Sequence, residues 1–287
     1  MRIHFLLLLF CSFNLAYAEP MLVWPDFAPG EATKLQGELQ PFRPNEKPPV
    51  SRVIKISQPT LQYLPAEKPN GTAVLILPGG GFGKVVPDME GSEYATILNR
   101  VGISAFVLSY RTKNDPKHVG WKRPLQDAQR SMSLIRANAK KWSINPNRIG
   151  LVGFSAGGQV AAKLLTDQGK KSYKRIDETD DVSHRPDFAQ LIYPWNIYDK
   201  STGGLLKDIN VTKDTPSTFI IHTDDDASTS LGSVLFYAAL KKNGVGAELH
   251  IYQTGGHGYG TRDRPNSDIG TWSDRSVEWL RQRKFGD

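Results

Sequence analysis

"RIGLVGFSAGGQVAAKLL", Arg148 to Leu165, sets a serine between two glycines where an apolar, β-like run gives way to a helix-like one. Residues 153–157 read G-F-S-A-G, the G-x-S-x-G spacing of a nucleophile elbow. Glycines on both sides permit the sharp strand-to-helix turn that lifts a serine hydroxyl clear of a sheet, and the N–H that follows can donate to an oxyanion. Five residues with three fixed positions carry little weight alone. Placement directly after "IGLV" and before "GQVAAKLL" supplies the strand–turn–helix context and makes Ser155 the candidate nucleophile.

Outward from this point, β-like and helix-like runs alternate. "SRVIKIS" and "LQYLP" read as early strands, and Asn70–Thr72 as a turn. Strands are expected at Ala73–Leu77, Ser104–Tyr110, Ile149–Val152, Ala189–Tyr193, Thr218–Thr223 and Glu248–Tyr252. Helices are expected at Glu93–Arg100, Pro124–Trp142, from Ser155, at Leu231–Lys242 and at Ser273–Lys284. In Pro124–Trp142 the residues Leu125, Ala128, Met132, Ile135 and Ala139 recur at spacings of three and four, an apolar stripe on one face. Such alternation indicates an α/β fold with a mostly parallel central sheet and helices on both faces. One domain, residues 19–287, accounts for the series, with a proline-rich approach over 19–50.

Open α/β sheets place their ligands beyond the carboxyl ends of the strands, and a serine nucleophile there needs a base and an orienting acid in the order Ser, acid, His. Both residue types follow strands. "TGGHGYG" after "AELHIYQ" brackets His257 with glycines, whereas His222 and His250 lie within strands as packed or face residues, and His118 and His184 sit in polar loops without paired ligands. "DDDAST" after "TFIIHT" supplies Asp224, Asp225 and Asp226, which periodicity cannot separate; Asp226 is furthest from the strand. "LPGGGFG" at the end of Ala73–Leu77 offers consecutive N–H groups without Cβ obstruction, a candidate oxyanion hole with the N–H of Ala156. As a phosphate cradle it lacks the G-x-x-x-x-G-K-[ST] spacing.

The first eighteen residues, with Arg2, an apolar run from Ile3 to Phe13 and the Ala16-Tyr17-Ala18 tripeptide, are expected to be a signal peptide cleaved after Ala18, directing the chain to a periplasm or out of the cell. Cys11, the single cysteine, lies within it, so the mature chain would hold no disulfide, zinc-thiolate site or cysteine nucleophile. The formal charge is +7, but the densest basic cluster, "GKKSYKR", is followed by "DETDD" and is offset locally. With no basic–aromatic interleaving, a nucleic-acid partner is not expected; neither is a stable membrane association, since no run after the leader reaches the ~20 apolar residues of a spanning helix.

"PGGGFG", "MEGSEYATILNRVGISAFVLSYR", "PLQDAQRSMSLIRANAKKWSINPNRIGLVGFSAGGQVAAKL" and "ELHIYQTGGHGYG" together resemble the secreted α/β-hydrolase esterases related to acetyl xylan and feruloyl esterases, from about "VWPDFAPGE" onward. The resemblance implies an α/β-hydrolase fold with Ser155 as nucleophile, His257 as general base, Asp226 as acid, and Gly80, Gly81 and Ala156 as oxyanion donors. "ASTSLG" after Asp226 departs from the family's usual proline and valine and keeps Asp225 as an alternative; "PGGG" replaces the "HGGG" of lipase-like relatives and leaves the backbone donors intact. Two-step ester hydrolysis of this kind requires neither metal nor organic cofactor.

An acetylated polysaccharide or oligosaccharide is the implied substrate, with a feruloyl ester or broader carboxylic esters as the alternative and a non-catalytic carbohydrate-binding derivative as the alternative from another class. Phe82, Trp195 and Tyr259, each beside a proposed catalytic element or strand end, are candidate substrate-binding walls, and Glu90 is a candidate to face the same cleft. Residues 166–186, after the nucleophile helix, are a candidate small lid.

Overall fold

The computed structural model describes residues 19–112 and 120–287; the leader, Cys11 and His118 lie outside the described residues. Eight strands form the central sheet: β1 (Met21–Leu22), β2 (Thr60–Leu64), β3 (Ala73–Leu77), β4 (Ser104–Ser109), β5 (Ile149–Phe154), β6 (Phe188–Ile192), β7 (Thr218–Thr223) and β8 (Ala247–Tyr252). Their order across the sheet is β1-β2-β4-β3-β5-β6-β7-β8. β1 pairs antiparallel with β2, and β2 with β4; every pairing from β4 through β8 is parallel. The chain runs from β3 to β4 on one side and returns to β5 on the other. That reversal opens a crevice beyond the strand ends, where α/β sheets take their ligands.

Alternation along the strands sorts side chains into two cores. From β3, Ala73, Leu75 and Leu77 face one layer and Val74 and Ile76 the other. The first layer is closed by α2 (Lys122–Ala137), α3 (Ser155–Leu165) and α4 (Leu231–Lys242), through residues such as Met132, Val160 and Phe236. The second is closed by α1 (Glu93–Asn99) and α5 (Trp272–Gln282), through Tyr94, Leu98, Trp272 and Trp279. Since both sheet faces are covered, β3, β5, β6 and β7 are buried along their whole length. This explains why they read as continuous apolar runs.

Three early expectations change. "SRVIKIS" forms only a two-residue bridge, Val53–Ile54 with Glu38–Leu39, outside the main sheet. The helix expected over Pro124–Trp142 leaves α-helical geometry at Asn138 (φ −103°, ψ 14°), continues as a 3-10 turn over Ala139–Trp142, and ends where Ser143 takes a left-handed φ of 55°. Residues 166–186 are not a lid. Asp177 pairs with Arg130 of α2 at 2.6 Å, Ser172 donates to Gln129, and Tyr173 packs edge-on to Trp24, pinning the segment to the flank of α2.

Candidate active site

Ser155 is the first residue of α3, directly after β5, and its φ is +52°. For an L-residue with a Cβ that left-handed conformation costs about 1–2 kcal/mol, so close packing on both sides has to hold it. A Cβ on Gly153 would stand 2.6 Å from the Gly157 carbonyl oxygen, and one on Gly157 would stand 2.1 Å from the Leu77 carbonyl oxygen. The two glycines of the motif are thus required by proximity between β5, the start of α3 and the end of β3.

The Ser155 Oγ lies 2.7 Å from His257 Nε2, and His257 Nδ1 lies 2.6 Å from Asp226 Oδ2. An ionised carboxylate only accepts, so Nδ1 carries the imidazole proton and Nε2 presents its lone pair to the serine hydroxyl. His257 is the most open of the three, its side chain 31% exposed, while Ser155 and Asp226 are buried. The loops after β5, β7 and β8 contribute one residue each.

Asp226 has two further donors. The Ser228 N–H reaches Oδ1 at 2.7 Å, and His222 Nε2 reaches Oδ2 at 3.0 Å. His222 is fully buried on β7, and its Nδ1 meets Ser233 Oγ at 2.8 Å. It is therefore not merely a packed strand residue: a neutral ring donates through Nε2 to the carboxylate and accepts from Ser233. Burial alone would raise the Asp226 carboxyl, but the hydrogen bonds from His222, His257 and Ser228 outweigh it and hold the group well below the usual carboxylate range. Asp225 does different work. Its oxygens accept the N–H groups of Gly255 (3.2 Å) and Gly256 (2.8 Å), which steadies the loop leading to His257, and the Gly256 bond is the main reason its carboxyl is lowered.

Gly80 and Gly81 share a cleft of about 400 Å³ with Ser155, His257 and Trp195. Ala156 lies in the first turn of α3, where backbone N–H groups have no intrahelical acceptor. Glu90 borders the cleft but is only 3% exposed. Its Oε2 accepts the Gly79 N–H at 2.9 Å and its Oε1 the Tyr193 hydroxyl at 2.8 Å, while Tyr193 in turn accepts the Gly260 N–H at 3.0 Å. Glu90 thus ties together the loops after β3, β6 and β8 and has little surface left for a ligand. Burial pushes its carboxyl upward against those hydrogen bonds. A Cβ on Gly79 would meet Glu90 Oε2 at 2.5 Å and Ser155 Cβ at 2.7 Å, so this glycine lets the loop close over both.

Of the expected walls, Trp195 borders the cleft and its backbone N–H donates to the Ser155 carbonyl at 2.9 Å. Phe82 packs behind it, ring centroids 5.8 Å apart, and is nearly buried. Tyr259 is fully buried edge-on to Tyr193 and presents no surface to a ligand. His184, expected to be unpaired, is buried with its Nε2 2.8 Å from Asp167. The sequence assigns no role at the site to His222, which it places as a strand residue, or to Tyr193; nor does it place Arg43, Val50 and Arg52 of the proline-rich approach along the cleft that they line. Among the described residues no cluster of His, Cys, Asp or Glu could hold a metal ion, and no helix is long and apolar enough to cross a membrane.

The BD-FAE family profile matches residues 62–192, a stretch that holds the glycine loop and the elbow but ends before Asp226 and His257. The chain is 29% identical over 228 residues to an acetylxylan esterase from Xylanibacter ruminicola, covering 73% of this chain and 46% of the relative. It is 30% identical over 220 residues to endo-1,4-beta-xylanase B from Butyrivibrio fibrisolvens, covering 68% and 34%. It therefore spans less than half the length of either relative. Among solved structures, an acetyl ester-xyloside bifunctional hydrolase from Caldicellulosiruptor lactoaceticus superposes with a TM-score of 0.70 at 30% identity, over 96% of this chain and 100% of that one. With a matching fold, end-to-end coverage and the elbow inside the profiled stretch, the chain belongs to the α/β-hydrolase esterases related to acetylxylan esterases, a family of carboxylic ester hydrolases.

Proposed function

We propose that this protein removes acetyl groups from a xylan-type polysaccharide or its oligosaccharides through a Ser155–His257–Asp226 triad. The observation that carries the reading is the unbroken chain of hydrogen bonds from a buried, ionised Asp226 through His257 to a serine held at a left-handed φ. Ser155 Oγ attacks the ester carbonyl as His257 Nε2 takes its proton. Charge developing on the carbonyl oxygen is met by the N–H groups of Gly80, Gly81 and Ala156. His257 then gives that proton to the sugar oxygen as its bond to the acyl carbon breaks, so that the sugar leaves as the free hydroxyl, and water, activated by the same ring, hydrolyses the acetyl-enzyme. Asp226 keeps the imidazole in the productive tautomer and stabilises the transient imidazolium.

The small cleft beside Trp195 suits a short acyl group, and the likeness to acetylxylan esterase and acetyl ester-xyloside hydrolase favours a sugar as the alcohol. The same reading takes residues 19–287 as one hydrolase domain and residues 1–18 as an export leader. Acetate release from acetylated xylan, measured beside a feruloylated xylan and the Ser155→Ala variant, tests it. Release that vanishes in the variant supports the reading. Feruloyl release with no acetate would overturn the acyl assignment, and unchanged acetate release by the variant would overturn the triad.

A further inference from the structure

The cleft at Ser155 continues past the reacting atoms. Arg43, Val50, Arg52, Met89 and Gly258 line both it and an adjoining groove of about 610 Å³. Six cationic side chains border the two together, Arg43, Lys47, Arg52, Lys84, Arg262 and Arg264, against three carboxylates, Glu46, Glu90 and Asp263. Glu90 is buried beneath this surface and bonded to Gly79 and Tyr193, and of the six cations it is Lys84 that feels its charge.

The cations divide into two groups. Arg52 bonds Glu46 through both terminal nitrogens (2.8 and 2.6 Å), and Arg262 bonds Glu93 (3.0 and 2.5 Å) together with the carbonyls of Pro48 and Pro49. Arg52 thus braces the 43–52 segment internally, and Arg262 fastens that segment to the loop after β8. The others are left with charge to offer. Arg43, its side chain 65% exposed, stands 3.6 Å from a Glu46 already held by Arg52. Arg264 donates to a neutral carbonyl, that of Gly258, at 2.8 Å. Lys47 and Lys84 form no ion pair with a carboxylate among the described residues. The densest basic run of the sequence differs in this respect, since its Arg175 meets Asp181 at 2.6 Å.

We propose that this groove is an anion subsite for the alcohol part of the ester: an acetylated xylan-type chain bearing a uronic-acid branch, whose carboxylate is drawn to Arg43 and Lys84 while the neighbouring acetyl ester lies at Ser155. Lys47 and Arg264 extend the same positive surface along the chain. A guanidinium suits this task because its planar fork matches a carboxylate in bidentate fashion. The inference rests on the carbohydrate-esterase reading above and adds a charge requirement to it.

The test compares acetate release from an acetylated glucuronoxylan with release from the same polymer after reduction of its uronic carboxyls to alcohols, at low and at high salt. We expect kcat/KM to favour the acidic polymer by about tenfold at low ionic strength and the preference to shrink as salt rises. The Arg43→Gln/Lys84→Gln double variant should lower the acidic-to-neutral ratio toward one. Because a ratio is read on one enzyme preparation, partial misfolding cannot mimic its change. Equal release from both polymers, or a preference that persists in the double variant, would overturn the subsite and leave the esterase reading standing. No release from either polymer would instead sink the xylan reading, and the subsite with it.

Discussion

The two ends of the Ser155 cleft are built differently. At the Ser155–His257–Asp226 end the polar groups are buried and committed: Asp226 receives three hydrogen bonds, and Glu90 and Tyr193 lock three strand-end loops to one another. At the groove end Arg43, Lys47 and Arg264 are exposed on a loop and a strand-end turn, fastened mainly by the Arg52–Glu46 and Arg262–Glu93 pairs. Buried polar networks are costly to break, whereas exposed ion pairs are worth about 0–1 kcal/mol. The contrast separates rate from selectivity: damage at the buried end should slow every ester, and changes at the exposed end should alter which ester is preferred.

The strongest way to break that division is Ser155→Ala. Its kcat should fall by at least about 10⁴-fold on a small aryl acetate and on a polymer alike, as read by parallel assays on the two substrates; a loss confined to the polymer would refute it. Asp226→Asn comes next, about 10³- to 10⁴-fold, since an amide has one acceptor oxygen where the carboxylate uses two, turns an NH2 toward either the imidazoles or the Ser228 N–H, and lacks the charge that stabilises the imidazolium. Asp225→Asn should cost less than about tenfold, because its bonds run to the loop and not to the ring. Asp226 also makes a signed prediction about stability. Its folded carboxyl lies below the ordinary value of 3.8, so its contribution is fully present above that value and is lost as pH falls toward the lowered one. Denaturant melts of wild type and Asp226→Asn should differ by a constant amount above about pH 5 and by a steadily smaller amount as pH falls below the ordinary value of 3.8; a gap that widens in acid would contradict the assignment.

How much of this was legible depended on the range of the signal. The elbow, the glycine loop and the glycine-bracketed His257 are local patterns at strand ends, and the apolar runs of β3, β5 and β7 are continuous because both sheet faces are covered. Separating Asp226 from Asp225 needed the turn after β7, which sends one carboxylate inward and its neighbour to the Gly255 and Gly256 N–H groups. His222 stands four residues before Asp226, but its place inside a strand made packing the simpler explanation, and only the turn after β7 brings the ring to the carboxylate. Glu90 and Tyr193 are 103 residues apart, and no periodicity links them. Tyr259 beside His257 suggested a pocket wall, yet it turns into the core. Likewise the charge on Arg43 was visible in sequence, but its place beside Ser155 depends on how a proline-rich loop crosses the strand ends.

Smaller effects sharpen the comparison within the buried end. Tyr193→Phe removes the donor to Glu90 and the acceptor for the Gly260 N–H, each orphan costing about 1–3 kcal/mol. Thermal melts should show a lower Tm, and kcat should drop by about tenfold as the Gly79 loop loosens. An unchanged Tm would mean the network carries no load. The smallest expected effect, a few-fold in kcat, is that of His222→Gln, and its pH profile carries more information than its size. In the wild type the His222 N–H shares Asp226 Oδ2 with His257 and withdraws part of the carboxylate's negative charge. If the substitution weakens that donation, more of the charge falls on His257, and the imidazolium, the form that cannot accept the serine proton, is favoured over a wider range. The acid limb of kcat/KM should therefore move to higher pH. A residue that only packed the core would lower Tm and leave the limb where it was, whereas one that positions the acid moves the limb even where the folded protein is equally stable.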